Sequence, residues 1–147
     1  MIWWARILLI IWIKIIGGEK VILGIGTDII EIKRIEEAVK RNERFLQKCF
    51  TKPEQKLFEE RKYNIQTIAA TFAAKEAVAK ALGTGFRTFG LCDIEILRDG
   101  KGKPYVITYG NAKKLADELN ISQILITLSH CKEYAVAYAI VQKEENL

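Results

Sequence analysis

Thr71-Phe72-Ala73-Ala74-Lys75-Glu76-Ala77-Val78-Ala79-Lys80-Ala81-Leu82-Gly83-Thr84-Gly85 sits near the middle of a chain of 147 residues, and the rest of the chain arranges itself around it. No Gly or Pro interrupts residues 65–82, and residues 69–81 are rich in alanine. Alanine has the highest intrinsic helix propensity, so a long helix is predicted. It ends where Gly83 and Gly85 supply a left-handed cap. Phe72, Glu76 and Lys80 follow one another at i, i+4 and i+8 and share one face. The small alanines between them let another backbone approach closely.

A carboxylate and an ammonium one turn apart commonly form nothing more than a solvated ion pair. Here the neighbours are almost all small and apolar, and a second carboxylate, Asp28, ends the apolar run Val21-Ile22-Leu23-Gly24-Ile25-Gly26-Thr27. Two carboxylates on separate rigid elements, with a lysine one turn beyond, suit a Mg²⁺–phosphate site. Mg²⁺ takes one or two protein carboxylates and fills its octahedron with water and phosphate oxygens. The lysine neutralises charge on a leaving phosphate.

Residues 21–25 are continuously apolar and rich in β-branched side chains, which predicts a buried strand. Gly26-Thr27 reads as a turn, and Thr27 or Asp28 as the cap of a following helix, a role compatible with metal binding. Ile29, Ile32, Ile35 and Val39 mark one apolar face of that helix. Lys33, Arg34, Lys40 and Arg41, then Arg44 and Lys48, are interspersed with Glu31, Glu36, Glu37 and Glu43 and read as a solvated face. Thr51-Lys52-Pro53-Glu54 is a capping box with proline in the first turn. It opens a helix to about Lys62, and Tyr63-Asn64 breaks the chain before the long helix.

Beyond the long helix, Cys92-Asp93-Ile94-Glu95-Ile96-Leu97 alternates and predicts a strand with one buried face. Asp99-Gly100 turns it back into a strand at residues 105–108. Asn111 caps a helix through Ala112, Leu115 and Leu119. Residues 123–128 and 134–141 give two more strands, and residues 142–147 a polar tail. The order is α+β with a largely antiparallel sheet and packed helices.

Gly24-Ile25-Gly26-Thr27-Asp28-Ile29, Phe72-Ala73-Ala74-Lys75-Glu76-Ala77 with Lys80, and Ser129-His130 followed by Tyr134-Ala135 stand in an order and spacing with a precedent. From about residue 21 to about residue 141 the chain resembles the holo-acyl-carrier-protein synthases, the small bacterial 4′-phosphopantetheinyl transferases. The resemblance implies transfer of 4′-phosphopantetheine from coenzyme A to a serine of apo-acyl carrier protein, leaving 3′,5′-ADP, in fatty acid biosynthesis. It implies a compact trimer with active sites between protomers.

By the same resemblance, Asp28 and Glu76 are the Mg²⁺ ligands and Lys80 meets the departing phosphate. Glu76, through a metal-bound water, takes the serine proton. His130 and Cys131 match positions at the nucleotide end of coenzyme A, and Arg61 or Lys62 holds the 3′-phosphate from a neighbouring protomer. The Gly83-Thr84-Gly85 turn either offers backbone N–H groups to the cofactor or is a plain helix cap. Arg34, Arg41, Arg44 and Lys48 align with a basic region that docks the acidic carrier, where complementary charge speeds encounter and sets orientation. Thr71 stands where many members carry Arg, and no nucleotide contact is carried over to it.

The length predicts one domain with a real core. Of the net charge of +5, +3 remains when residues 1–20, with Arg6, Lys14 and Lys20 against Glu19, are set aside. Such mild basicity suits an acidic partner. A nucleic-acid module is disfavoured, because no binding motif, dense basic cluster or aromatic platform accompanies it. A Mg²⁺-dependent phosphohydrolase using the same carboxylates on water is the other rival. Cys49, Cys92 and Cys131 form no metal-spacing motif and fit a reducing, cytoplasmic compartment.

Residues 1–16 are apolar, yet the uncharged run 7–13 is far short of a membrane span of about 20 residues. No small-residue cleavage site follows them, so stable membrane insertion is not expected, and an interfacial anchor is the remaining membrane reading. The blander expectation is that residues 1–20 are an extension and that Val21 is the true start: Val fits a GTG start codon, and Gly17-Gly18-Glu19-Lys20 fits a purine-rich ribosome-binding site. Residues 21–147 are then the transferase domain.

Overall fold

The computed structural model describes residues 19–145. The expectations for residues 1–18 lie outside the described residues. In chain order the elements are β1 (Glu19–Glu31), α1 (Ile32–Arg41), α2 (Phe45–Cys49), α3 (Lys52–Glu60) and α4 (Ile65–Ala81). A single 3₁₀ turn (Leu91–Asp93) leads to β2 (Ile94–Arg98), β3 (Pro104–Thr108), α5 (Gly110–Glu118), β4 (Ile121–His130) and β5 (Tyr134–Glu145). The expected single sheet is two antiparallel ones, β1-β5-β4 and β2-β3. Among the described residues no helix is long and apolar enough to cross a membrane.

The long helix is α4, and it joins both cores. Ala73, Ala74, Ala77, Val78 and Ala81 pack with Ala137, Ala139 and Val141 of β5 and with Ile94 and Ile96 of β2. Nearer its start, Ile68, Ala69 and Ala70 pack with Ile32, Ile35, Phe50 and Phe58. Its ends are made locally, as expected. The Asn64 side chain accepts the Thr67 N–H at 3.0 Å, and Gly83 and Gly85 adopt φ of 86° and 58°. The capping box is also present, with Thr51 N–H donating to Glu54 at 2.8 Å and Glu54 N–H to Thr51 at 3.4 Å.

Gly26-Thr27 is not a turn. β1 runs straight through it, because residues up to Glu31 continue to pair with β5, Thr27 opposite Tyr138 and Asp28 opposite Ala137. The glycines serve a close approach instead: a Cβ on Gly24 would overlap the Ala81 carbonyl oxygen, and one on Gly26 the Ala77 carbonyl oxygen. Asp28 is therefore a strand residue and caps no helix. α1 begins at Ile32, whose N–H donates to the Glu133 carbonyl at 2.8 Å, and no side chain caps it. Ile29 leaves the predicted helical face and is exposed on the strand.

Other differences have similar tertiary causes. The strand expected from Cys92 starts only at Ile94, after the 3₁₀ turn. Glu95 does not face outward but is buried, its carboxylate accepting the Tyr109 hydroxyl at 3.0 Å. Tyr109, not Asn111, precedes α5, and the Asn111 amide donates to the Thr88 carbonyl at 3.1 Å. Up to Glu145, the expected polar tail is strand, paired with the start of β1. The short α2 was unexpected.

Candidate active site

Asp28 lies on β1 two residues beyond Gly26, so strand alternation turns it to the same face, toward α4. The glycine contacts that draw α4 onto β1 bring Glu76 and Lys80 to it. Lys80 Nζ donates to Asp28 Oδ1 and to the Thr27 carbonyl, both at 2.9 Å. Glu76 holds its proton above the usual carboxylate range. Burial is the main cause, the nearby Asp28 charge adds to it, and Lys80 opposes it. Both carboxylates and Lys80 line one hollow of about 460 Å³ with Phe45, Phe72 and Arg34. Lys80 also borders a second hollow, shared with Gly83, Thr84, Gly85, Phe86 and Arg87.

The donor set fits a hard divalent cation. Two carboxylates on rigid elements in partial burial repel each other, and a cation between them relieves that repulsion. Among the described residues no three of His, Cys, Asp and Glu gather. Mg²⁺ is a cation that needs only one or two protein carboxylates.

The remaining predicted residues are distributed more widely. Gly83 N–H donates to the Lys80 carbonyl at 3.0 Å and Gly85 N–H to the Ala79 carbonyl at 3.1 Å. Both donors are spent on the helix end, as in the plain-cap reading. His130 ends β4 opposite Ala135. Cys131 follows it, exposed, with its carbonyl accepting the Gln66 amide at 3.1 Å. Arg61 ends α3, and Lys62 follows it in a left-handed conformation, φ 54°. None of these four lines the Asp28–Glu76 hollow. Of the basic residues expected to dock the carrier, Arg34 lines it, while Arg41, Arg44 and Lys48 are exposed along α1 and α2. Thr71 is buried and its hydroxyl donates to the Thr67 carbonyl at 2.9 Å.

Sequence reasoning missed Phe45, which stacks on Phe72 at 6.3 Å between ring centroids and walls the hollow. It also missed the partner of Lys75, buried Glu54. A lysine on the alanine face of a helix, off the Phe72–Glu76–Lys80 row, was the available signal.

Comparison with known proteins places the chain in a family. The family model described as the 4′-phosphopantetheinyl transferase superfamily matches residues 24–139. The holo-acyl-carrier-protein synthase of Alkaliphilus oremlandii is 58% identical over 119 residues, 81% of this chain and 98% of that protein. The crystal structure of the holo-acyl-carrier-protein synthase from Plasmodium yoelii superimposes with a TM-score of 0.77 at 36% identity, over 86% of this chain and 99% of that one. The Helicobacter pylori enzyme, solved in complex with coenzyme A, gives 0.71 at 34% identity, over 80% and 98%. Likeness of this degree, running nearly the whole length of each relative, means that the chain belongs to the holo-acyl-carrier-protein synthase family of phosphopantetheinyl transferases.

Proposed function

We propose that this enzyme moves 4′-phosphopantetheine from coenzyme A to the serine hydroxyl of an apo-acyl carrier protein, with Mg²⁺, releasing 3′,5′-ADP. The service is fatty acid synthesis and the compartment the cytoplasm. One observation carries the reading: Asp28 from β1 and Glu76 and Lys80 from α4 converge on one hollow. Asp28 and Glu76 hold the cation. Bound there, Mg²⁺ supplies charge neutralisation on the diphosphate oxygens at the attacked phosphorus. Glu76 accepts the serine proton. Lys80 is within reach of either hollow and balances charge on the departing 3′,5′-ADP. Phe45 and Phe72 exclude water along one wall, and Arg34 on the rim meets acidic groups of the carrier.

A single protomer leaves His130, Cys131, Arg61 and Lys62 away from the metal pair, which supports a site completed by a neighbouring copy. The outer face of the β1-β5-β4 sheet offers a surface for one: Ile25 is 73% exposed, Ile29 66% and Tyr138 56%. A patch of that kind marks an interaction site more often than open surface, and a trimer closed through it is the assembly proposed.

Mass spectrometry of apo-carrier protein incubated with coenzyme A and Mg²⁺ tests the reaction, with a gain of one phosphopantetheine expected. Asp28→Asn and Glu76→Gln each remove a charged ligand without changing size and are expected to abolish most transfer while the fold persists by circular dichroism. Near-normal transfer by either variant at low Mg²⁺ would defeat the metal assignment.

A further inference from the structure

Lys75 stands beside Glu76 and is fully buried, as is its partner Glu54 at 2.6 Å. Capping α3 needs Glu54 only for the Thr51 N–H. Yet its other oxygen accepts the Ile96 N–H of β2 at 2.7 Å. Lys75 Nζ also donates to the Leu91 carbonyl at 3.0 Å and lies 5.2 Å from the centre of the Phe50 ring. Phe50 in turn packs edge-on against Phe72, the wall of the active-site hollow, at 6.4 Å. Thus α3, the 3₁₀ turn and the link before α3 converge on a single side chain of α4, and β2 is tied to it through Glu54.

Stability alone does not call for such a pair. Two well-packed apolar side chains of similar volume often serve as well or better, because burying both charges costs desolvation. Direction is what the pair adds, since an ammonium bonds its acceptors at fixed angles whereas apolar contacts slide. Elsewhere on α4, Ala77 and Ala81 rest on the bare backbone of Gly26 and Gly24. Glu76 lies between Lys75 and Ala77 in sequence, so pinning both neighbours pins the rotation of the helix about Glu76.

We infer that Glu54 and Lys75 are positioning residues for the proposed transfer: their ion pair is a rotational stop on α4 that sets the Glu76 carboxylate against Asp28. The inference rests on the reading of Asp28 and Glu76 as cation ligands.

The test uses the full chain carrying Glu54→Leu together with Lys75→Met. Its melting temperature is expected to hold or rise. At saturating metal, kcat should fall between about tenfold and a hundredfold, the usual result of a small misplacement, with KM for coenzyme A and carrier unchanged. Mn²⁺ binding to the enzyme alone, followed by electron paramagnetic resonance, should weaken. Glu54→Asp keeps both charges but shortens the tether, and should move both readouts the same way by less. Wild-type kcat and Mn²⁺ affinity in a folded variant overturn the inference. Failure of both variants to fold reduces the pair to a stability element and overturns it too. Asp28→Asn run alongside separates the two claims. Mn²⁺ binding indifferent to Asp28 sinks the metal reading and this inference with it, whereas Asp28-dependent binding that ignores the pair sinks this inference alone.

Discussion

The three cysteines differ in ways that report on the site. The Cys131 thiol is held below its ordinary range chiefly by the backbone N–H of Glu133, with that of Tyr134 assisting. Burial pushes Cys49 and Cys92 up. A lowered pKa means more thiolate at neutral pH, and the thiolate is the nucleophile. Iodoacetamide is therefore expected to label Cys131 first by peptide mapping, with its labelling rising at lower pH than that of Cys92, which is also exposed. If His130 and Cys131 meet the nucleotide, saturating coenzyme A slows that labelling. Labelling untouched by coenzyme A would remove Cys131 from the site. Thr71 makes the opposite point, since its hydroxyl is committed to its own helix and carries no charge for a phosphate.

Elements are held together here by contacts that tolerate little change. Gly26→Ala would drive a methyl into the Ala77 carbonyl, and separating β1 from α4 is expected to cost about 3 kcal/mol, the upper end for overpacking. Gly83→Ala meets open space but a left-handed backbone, and should cost about 1–2 kcal/mol. Urea midpoints distinguish them, and only the first should also lower transfer in the folded fraction. On α1, Arg34→Glu adds repulsion to a lost attraction at the rim and should reduce kcat/KM for the carrier by about tenfold, the scale of one or two exposed pairs. The loss should shrink with added salt. Coenzyme A binding by calorimetry should be unchanged, and its collapse would reassign the helix to the nucleotide.

What was legible in the chain followed from local physics. The alanine run, its glycine stop, the Thr51–Glu54 box and the Phe72–Glu76–Lys80 face each depend on neighbours within a turn or two, and each is present. The cap expected at Thr27 or Asp28 is absent, because a glycine that permits a turn and one that admits another backbone look alike until the other backbone is known. Glu95 and Lys75 were unreadable for the same reason, their partners Tyr109 and Glu54 lying far along the chain. Identity over most of its length supplied the reaction class, which spacing alone left open between transfer and hydrolysis.

At the scale of the whole molecule, the exposed outer sheet face is where the proposed contact with a neighbouring copy is tested. Ile25→Glu combined with Tyr138→Glu puts charge into that face away from the Asp28–Glu76 hollow, and is expected to yield folded monomer by sedimentation, with coenzyme A binding weakened. A wild type that already sediments as a monomer, or a variant that stays assembled, would exclude the sheet face as the contact. The inner face has a different fate. Ala73, Ala77 and Ala81 of α4 meet Ala137 and Ala139 of β5 and the glycines of β1. In an ordinary core an enlarged side chain can be accommodated in later generations by trimming the one it presses on. At Gly24 and Gly26 the atoms pressed on are the backbone carbonyls of Ala81 and Ala77, which no substitution trims, so a methyl gained there has no reciprocal change waiting on the other side.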